Sequence, residues 1–389
     1  MQLAERHIIN KGHDFFKELD EISFLSKNLY NRANYIVRQA FIITSWLKEE
    51  GKTEHAFWMR YYDLQKFLQK TKDIDYYVLP AKISQQVLKL VEKNWKSFFA
   101  SIKDWKVNPS KYKGIPKLPK YKHKTDGRNI LTYTIQAISK TEFKKGIVKL
   151  SGTKIQIKTK QKSINQVRVT PKIGRYVVDV VYTKKEVKLK EIDRKSKLKI
   201  AGIDTGTNNL AAITSNQNGL RPLLINGRPL KAMNQYYNKK KAKLQSFIGD
   251  KGTSKKITKL TNKRNDKVND FLHKASCYVT DYIVSNDFDV LVIGKNEGWK
   301  NEINIGSTNN QNFVSIPHAR FIEMITYKLK LHGIPVIVRE EAYTSKCSFV
   351  DFEEVKKHEE YVGRRKHRGL FISKDKIKIN ADCNGSGNI

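Results

Sequence analysis

A strand that ends on a carboxylate constrains this chain more than any other feature. The stretch Lys199-Ile200-Ala201-Gly202-Ile203-Asp204-Thr205-Gly206-Thr207-Asn208-Asn209-Leu210-Ala211 reads as an apolar strand, a sharp Gly-containing turn and the start of a returning strand. Asp204 at the end of such a strand is a negative group held on a rigid element at a sheet edge. Gly202 and Gly206 have no side chain, so a phosphate backbone or a metal ion can come close. The plain alternative is an Asp that only opens a turn. A second segment, Ile379-Asn380-Ala381-Asp382-Cys383-Asn384-Gly385, favours the functional reading. There Asp382 stands between a short apolar-flanked stretch and a helix start. Two such carboxylates, distant in sequence, meet only in the folded chain, and paired carboxylates are what a two-metal phosphodiester site needs.

Charge says what kind of partner to expect. Lys and Arg number 75 against 38 Asp and Glu, a net charge of +37. Most of that must lie on the surface, and a basic excess of this size calls for a polyanion, nucleic acid first. A membrane surface is disfavoured because the cations spread along the whole chain instead of flanking one amphipathic helix. No run of about 18 apolar residues is present to span a bilayer. Met1 to Asp20 shows no signal peptide. Cys277, Cys347 and Cys383 are too few and scattered for a disulfide framework, which fits a reducing cytoplasm. A chain of 389 residues with 39% hydrophobic content can form two or three domains with real cores.

The periodicity divides the chain. Residues 1–10 read as an edge strand. From Asp14 to Lys72 apolar residues recur at helical spacing (Leu25, Leu29, Ala33, Ile36, Val37, Phe41), and Ala81 to Trp105 repeats the pattern. The aromatics here, Trp46, Phe57, Trp58, Tyr61, Tyr62 and Phe67 among them, are expected mostly in the core. Asn108 to Lys124 differs: Pro109, Gly114, Pro116 and Pro119 exclude regular structure. Lys111, Tyr112, Lys113, Lys117, Lys120, Tyr121 and Lys122 interleave cations with aromatics, a pattern suited to phosphate contact and base stacking. A solvated linker is the alternative. Short alternating runs at 131–138, 147–150, 155–157, 166–169 and 176–182 predict a small β-barrel or sandwich.

Beyond a charged linker at 184–199, the Asp204 strand is followed by strands near 210–215 and 223–225. A long basic helical stretch then runs from Pro229 to Asn286, its charge suggesting an RNA- or DNA-facing helical pair. Asp289 to Gly294 and Gly333 to Arg339 read as buried strands separated by a helix from Phe313 to Leu331. This alternation predicts a three-layer α/β domain.

With these segments placed, the chain resembles TnpB, the RNA-guided nuclease of bacterial insertion sequences related to type V CRISPR effectors. The resemblance rests on Gly202-Ile203-Asp204-Thr205-Gly206 with Asn209-Leu210-Ala211, Val292-Ile293-Gly294-Lys295-Asn296 with Gly298-Trp299-Lys300, Tyr343-Thr344-Ser345-Lys346-Cys347-Ser348, and Ala381-Asp382 with Asn384-Gly385. The proline-lysine loop with Arg128-Asn129 and Gln136-Ala137-Ile138-Ser139 also looks like this family. It implies a multidomain α+β fold: a helical recognition lobe (14–107) inserted in a β-barrel wedge domain (1–13 and 108–185). An RNase H-like RuvC nuclease domain (186–348 and 379–389) follows, with a target-nucleic-acid-binding insert at 349–378. It also implies a guide (omega) RNA, a short target-adjacent motif on double-stranded DNA, and sequence reading by base pairing.

The chain departs from the family twice. The family places a catalytic Glu at the end of the strand that here reads Val290-Leu291-Val292-Ile293, where this chain has Gly294 and Lys295. In an RNase H sheet the next strand lies alongside and runs parallel, so its terminal Glu340 or Glu341 could reach over a residue with no side chain. Relatives with a relocated glutamate match Glu341, with Glu340 the alternate. Glu297 and Glu323 are weaker candidates, and ordinary edge charge is the plain alternative for the pair. Second, the usual paired Cys-x-x-Cys ligands are missing. Cys347, Cys383, His358 and His367 do not supply a four-ligand set at a usual spacing, so no structural zinc is expected. Arg364, Arg365, Lys366, His367 and Arg368 would keep that insert basic for DNA contact.

The expectation is a transposon-associated, RNA-guided DNA endonuclease. Asp204, Glu341 and Asp382 hold two Mg²⁺ ions about 4 Å apart, with Mn²⁺ able to substitute. One chain is expected per guide RNA, in a bacterial cytoplasm and close to the nucleoid. Rivals are a catalytically inactive RNA-guided repressor and a guide-independent transposase of RNase H fold.

Overall fold

The structure is a computed structural model that describes residues 1–193, 196–249, 252–296, 306–367 and 369–389, with the side chains of 307–309 and 312 left aside. The chain forms two compact units, Met1–Lys185 and Glu186–Ile389.

In the first unit, strand β1 (Gln2–Asn10) leads into helix α1 (Phe16–Glu49). Leu19, Ile22, Leu29, Ala33, Ile36 and Val37 are buried along one stripe of α1, the three- and four-residue spacing that places side chains on one helical face. Helices α2 (Tyr61–Lys70), α3 (Ile74–Tyr77) and α4 (Ala81–Val107) follow, α4 starting directly after Pro80. Trp95 of α4 is fully buried, and its indole N–H donates to Asn34 Oδ1 at 2.9 Å, which satisfies the one polar atom of the ring. Phe41, Trp58, Phe98 and Phe99 pack around it. The expectation of buried aromatics fails for Trp46, Phe57, Tyr62 and Phe67, which are 52%, 49%, 73% and 37% exposed.

The chain then returns through β2 (Leu131–Thr134), α5 (Lys140–Lys144), β3 (Ile147–Lys149), β4 (Gln156–Lys158), β5 (Gln166–Lys172) and β6 (Arg175–Thr183). The sheet order is β1-β6-β5-β2, antiparallel throughout, with β1 paired from Gln2↔Thr183 to Asn10↔Arg175. Asp20 binds the helical layer to this sheet: its carboxylate accepts from the Arg128 guanidinium at 2.8 and 3.0 Å and from the Tyr176 hydroxyl at 2.7 Å. Among the described residues no closed barrel forms. Strand β2 is four residues long and pairs only with β5, while β3 and β4 pair with each other in a separate hairpin, so the sheet stays open between β1 and β2.

The second unit is built on strands β7 (Ile200–Asp204), β8 (Asn209–Ser215) and β9 (Leu223–Asn226), then helices α6 (Arg228–Gln245) and α7 (Lys255–Ser285). Ser254 caps α7, its Oγ accepting from the Ile257 N–H. Next come β10 (Val290–Gly294), α8 (Ser307–Ser315), α9 (His318–Lys330) and β11 (Val336–Arg339). The single helix expected over 313–331 is two helices, because Pro317 lacks the N–H that a continuous helix needs. The sheet order is β11-β10-β7-β8-β9, with β10 parallel to both β7 and β11. The C-terminal ends of these three strands therefore share one edge.

Ala201 and Ile203 join Leu291 and Ile293 in a core with Val268, Leu272, Val279 and Ile283 of α7 and Phe321, Ile325 and Leu329 of α9. Strand β11 is the sheet edge and not the buried strand expected from its apolar run: Ile337 is 43% and Val338 48% exposed. The chain ends in β12 (Arg364–His367), β13 (Leu370–Ile372), β14 (Lys378–Asn380) and helix α10 (Ala381–Gly387). α10 lies on the face of β7 opposite the α7 core, since Gly202 alternates with Ala201 and Ile203. A side chain on Gly202 would run into the backbone carbonyl of Ser386. Gly202 thus admits a helix of this chain, not the ligand expected from the sequence.

No helix among the described residues is long and apolar enough to cross a membrane.

Candidate active site

Asp204 closes β7. Its carboxyl is buried, and burial plus the nearby Asp382 carboxylate push its pKa up to about 7. The Arg365 guanidinium acts in the opposite direction.

Glu341 follows the end of β11, whose Arg339 is in register with Gly294 of the parallel β10. A Cβ built on Gly294 would meet Glu341 Oε2 at 2.5 Å and Glu341 Cβ at 3.1 Å. The Glu341 carboxyl therefore fills the space that a side chain at 294 would use. Its pKa is pushed up to about 7, by burial first and by the Asp204 carboxylate second. Glu341 Oε2 is buried without a hydrogen-bond partner. The Glu341 backbone is held at both ends: its N–H donates to Asn296 Oδ1 at 3.0 Å, and its carbonyl accepts from Thr344 Oγ1 at 2.9 Å. Glu340 is exposed.

Asp382 sits in the first turn of α10, where a negative side chain is favoured by the helix dipole. Asn380 caps that helix, its Oδ1 accepting from the N–H groups of Asp382 and Cys383. The Asp382 carboxylate accepts from Asn209 Nδ2 at 2.8 Å and from the Arg365 guanidinium at 3.4 Å. Burial and the carboxylates of Asp382 and Asp204 raise the neighbouring Cys383 thiol to about 11, so it stays protonated at neutral pH.

Several positioning residues escaped the sequence reading. On α10, Asn384 Nδ2 donates to Cys347 O at 2.7 Å, and Asn384 Oδ1 accepts from Phe349 N–H at 2.9 Å. One turn later Asn388 Nδ2 donates to the carbonyls of Thr344 and Cys347, each at 2.8 Å. These two Asn tie the turn after Glu341 to the helix that carries Asp382. Asn384 falls in the Ala381-Asp382, Asn384-Gly385 motif, but the motif does not name its partners, and Asn388 stands outside it. His318, fully buried at the start of α9, contacts the Gly206 carbonyl through Nε2 at 3.0 Å and so supports the turn after Asp204.

The donor set suits a hard divalent cation. All three groups are carboxylates, Asp204 and Asp382 repel as do Asp204 and Glu341, and one buried oxygen lacks a partner. Among the described residues no three of them stand close enough to form a ready coordination set, with Asp382 turned to Asn209 and Arg365.

The residues expected to touch nucleic acid fall in two places. In the proline-lysine loop, Lys111 Nζ and the Tyr112 hydroxyl both donate to Asp104, at 3.0 and 2.6 Å, and Asp104 drops to about 2 in consequence. Lys122 lies over the Tyr30 ring at 5.0 Å and Tyr121 under Arg38 at 4.8 Å. Lys113, Lys117 and Lys120 are exposed. The loop is strapped along α1, where Lys27, Asn31, Asn34 and Arg38 donate to the carbonyls of Lys124, Lys122 and Pro119. In the second place, Arg364, Arg365 and Lys366 form the exposed β12, Arg365 reaching Asp382. Arg368, Glu297 and the Gly298-Trp299-Lys300 motif lie outside the described residues.

Cys347 is buried and its thiol donates to Lys356 O. The loop beyond it is tied by carboxylates. Glu353 accepts from the N–H groups of Ser348 and Val362, and Asp351 from Ser348 Oγ and Lys374 N–H.

Residues 179–300 match the family OrfB_IS605, described as a probable transposase, and residues 318–389 match the Cas12f1-like TNB domain. No curated protein matches the chain. Among solved structures, the mini-RNA-guided endonuclease CRISPR-Cas_phi3 aligns over 100% of this chain and 92% of its own, at 9% identity and a TM-score of 0.50, a likeness of fold. The Cas12f1-sgRNA-target DNA complex aligns over 100% and 98%, at 18% identity and a TM-score of 0.39. The two family matches support a TnpB-like protein.

Proposed function

We propose that this TnpB-like chain is a transposon-associated, RNA-guided DNA endonuclease with a carboxylate site made of Asp204, Glu341 and Asp382. The observation that carries the reading is Glu341 occupying the side-chain space of Gly294, beside Asp204. The family matches and the fold shared with an RNA-guided endonuclease support it.

In this reading the second unit is the RuvC-like nuclease (186–348 and 379–389), a reading supported by its five-stranded mixed sheet in the order β11-β10-β7-β8-β9. Residues 349–378 are the target-nucleic-acid-binding insert. The first unit combines the wedge sheet (1–13 and 108–185) with the helical recognition lobe (14–107), which reads the target-adjacent motif. One chain acts with one guide RNA in the bacterial cytoplasm.

Asp204, Glu341 and Asp382 would hold Mg²⁺, which when bound activates water and stabilises the leaving 3′-oxygen. The chain's own part is to present these oxygens on rigid elements. β7 fixes Asp204, the Asn296 and Thr344 contacts fix Glu341, and the α10 cap fixes Asp382. Asn209 orients the Asp382 carboxylate. Arg365 pairs with the Asp382 carboxylate at 3.4 Å, and in this reading its guanidinium is available to exchange that partner for a phosphate.

The test is to purify the protein with its RNA, replace the guide segment, and map cleavage on plasmids carrying either target. Cutting should follow the guide. Cutting that ignores the guide supports the transposase reading. Guided binding without cutting supports the repressor reading, which the missing carboxylate at the end of β10 favours.

A further inference from the structure

The helices α6 and α7 pack side by side and enclose a groove of about 760 Å³. Its charge is one-sided. Among the described residues, six lysines and Arg264 line it and no acidic residue does. Between Asp204 and Asp266 the sequence holds a single acid, Asp250. The aromatics in the groove play two different parts. Tyr237 belongs to the floor, its hydroxyl 3.1 Å from Thr261 Oγ1 and its ring 5.5 Å from the Arg264 guanidinium. Arg264 is itself anchored, donating to Asn234 Oδ1 at 2.8 Å. Tyr236 and Phe247 are different: they stand on the rim, 61% and 75% exposed, with Lys240 alongside Tyr236.

Exposed rings flanked by lysines suit unstacked bases on a charged backbone. Duplex nucleic acid offers the rings no free base face, so an unpaired strand fits better. A groove whose described charges are all positive is also self-repelling, which favours a polyanion that stays bound over one present only during turnover. We infer that this groove docks an unpaired stretch of the guide RNA, bases stacking on Tyr236 and Phe247 while Lys240, Lys243, Lys256, Lys259 and Lys263 meet phosphates. The inference rests on the guide-RNA reading above.

The test uses the full chain purified with its own RNA, transcribed with 4-thiouridine and crosslinked by ultraviolet light. The crosslinked peptides should contain Tyr236 and Phe247. The Tyr236→Ala/Phe247→Ala double variant should lose those crosslinks and bind a short oligouridylate about tenfold more weakly, without a change in its circular dichroism. Affinity for an RNA duplex should not depend on the two rings. Crosslinks confined to other surfaces of the wild-type protein would overturn the groove while leaving guided cleavage standing. An oligodeoxythymidylate preferred over oligouridylate, with the same dependence on the rings, would overturn the RNA assignment. A wild-type chain that retains no RNA would overturn both this inference and the reading beneath it.

Discussion

Glu341 occupies the space that Gly294 leaves empty: its Oε2 lies 2.5 Å from where a Gly294 side chain would begin. In the proposed reading, Glu341, just past the end of the neighbouring parallel strand, stands in for a carboxylate at the end of β10. The exchange works only while position 294 is Gly. Gly294→Ala should push Glu341 and the nearby Ile389 aside, cost about 1–3 kcal/mol by overpacking and abolish cleavage. RNA retention should be unchanged. A plasmid-cleavage assay beside a thermal melt of the same variant checks both outcomes.

Asp204 is held above the usual carboxylate range by burial and the Asp382 carboxylate, and Glu341 by burial and the Asp204 carboxylate. Between about pH 4 and pH 7 the folded protein keeps protons that the unfolded chain has released, so stability falls as pH rises through that window. Without divalent cations, the melting temperature of the protein should drop between about pH 4 and pH 7, and added Mg²⁺ should restore it most at the upper end. A pH series of melts with and without Mg²⁺ decides the matter. A rise with pH in the metal-free series would be evidence against this electrostatic account.

The same repulsion gives Asp204→Asn two opposite effects. Cleavage should fall by about 10³-fold or more, roughly 4 kcal/mol of barrier. The metal-free protein should at the same time melt higher at neutral pH, by roughly 2–4 °C for each kcal/mol of repulsion removed. Single-turnover cleavage and calorimetry on one preparation measure the two together.

How much of this was legible in the sequence depended on distance along the chain. Asp204 at the end of β7 could be read directly, because an apolar run stopping on a carboxylate is a local pattern. The closeness of Glu341 to Gly294 followed from two parallel strands sharing an edge. What did not show were contacts made by ordinary polar residues across long separations. Nothing local marks Asn384 and Asn388 as ties to Thr344, Cys347 and Phe349. The lysines of 108–124 looked free, yet the loop's carbonyls are pinned along α1 and Lys111 and Tyr112 are engaged by Asp104. The apolar run of β11 suggested burial, but its place at the sheet edge exposes it. The alternating strands of the first unit could not tell an open sheet from a closed barrel, since closure depends on pairing and not on pattern.

Asn384 of α10 supplies a separate prediction. Asn384→Ala removes a buried side chain that satisfies Cys347 O and Phe349 N–H, and should destabilise the protein by about 1–3 kcal/mol. It should also slow cleavage by loosening the turn behind Glu341, with RNA binding kept. Asn384→Asp, which retains one acceptor, should recover part of the stability. Denaturant melts and cleavage rates of the pair give the comparison.

The most direct test of the central claim is plasmid cleavage in Mg²⁺ by the protein purified with its RNA, comparing wild type with Glu341→Ala and Glu340→Ala. Loss of cutting in Glu341→Ala alone, with guided DNA binding intact, is the predicted result. Full cutting by Glu341→Ala would contradict it and remove Glu341 from the site.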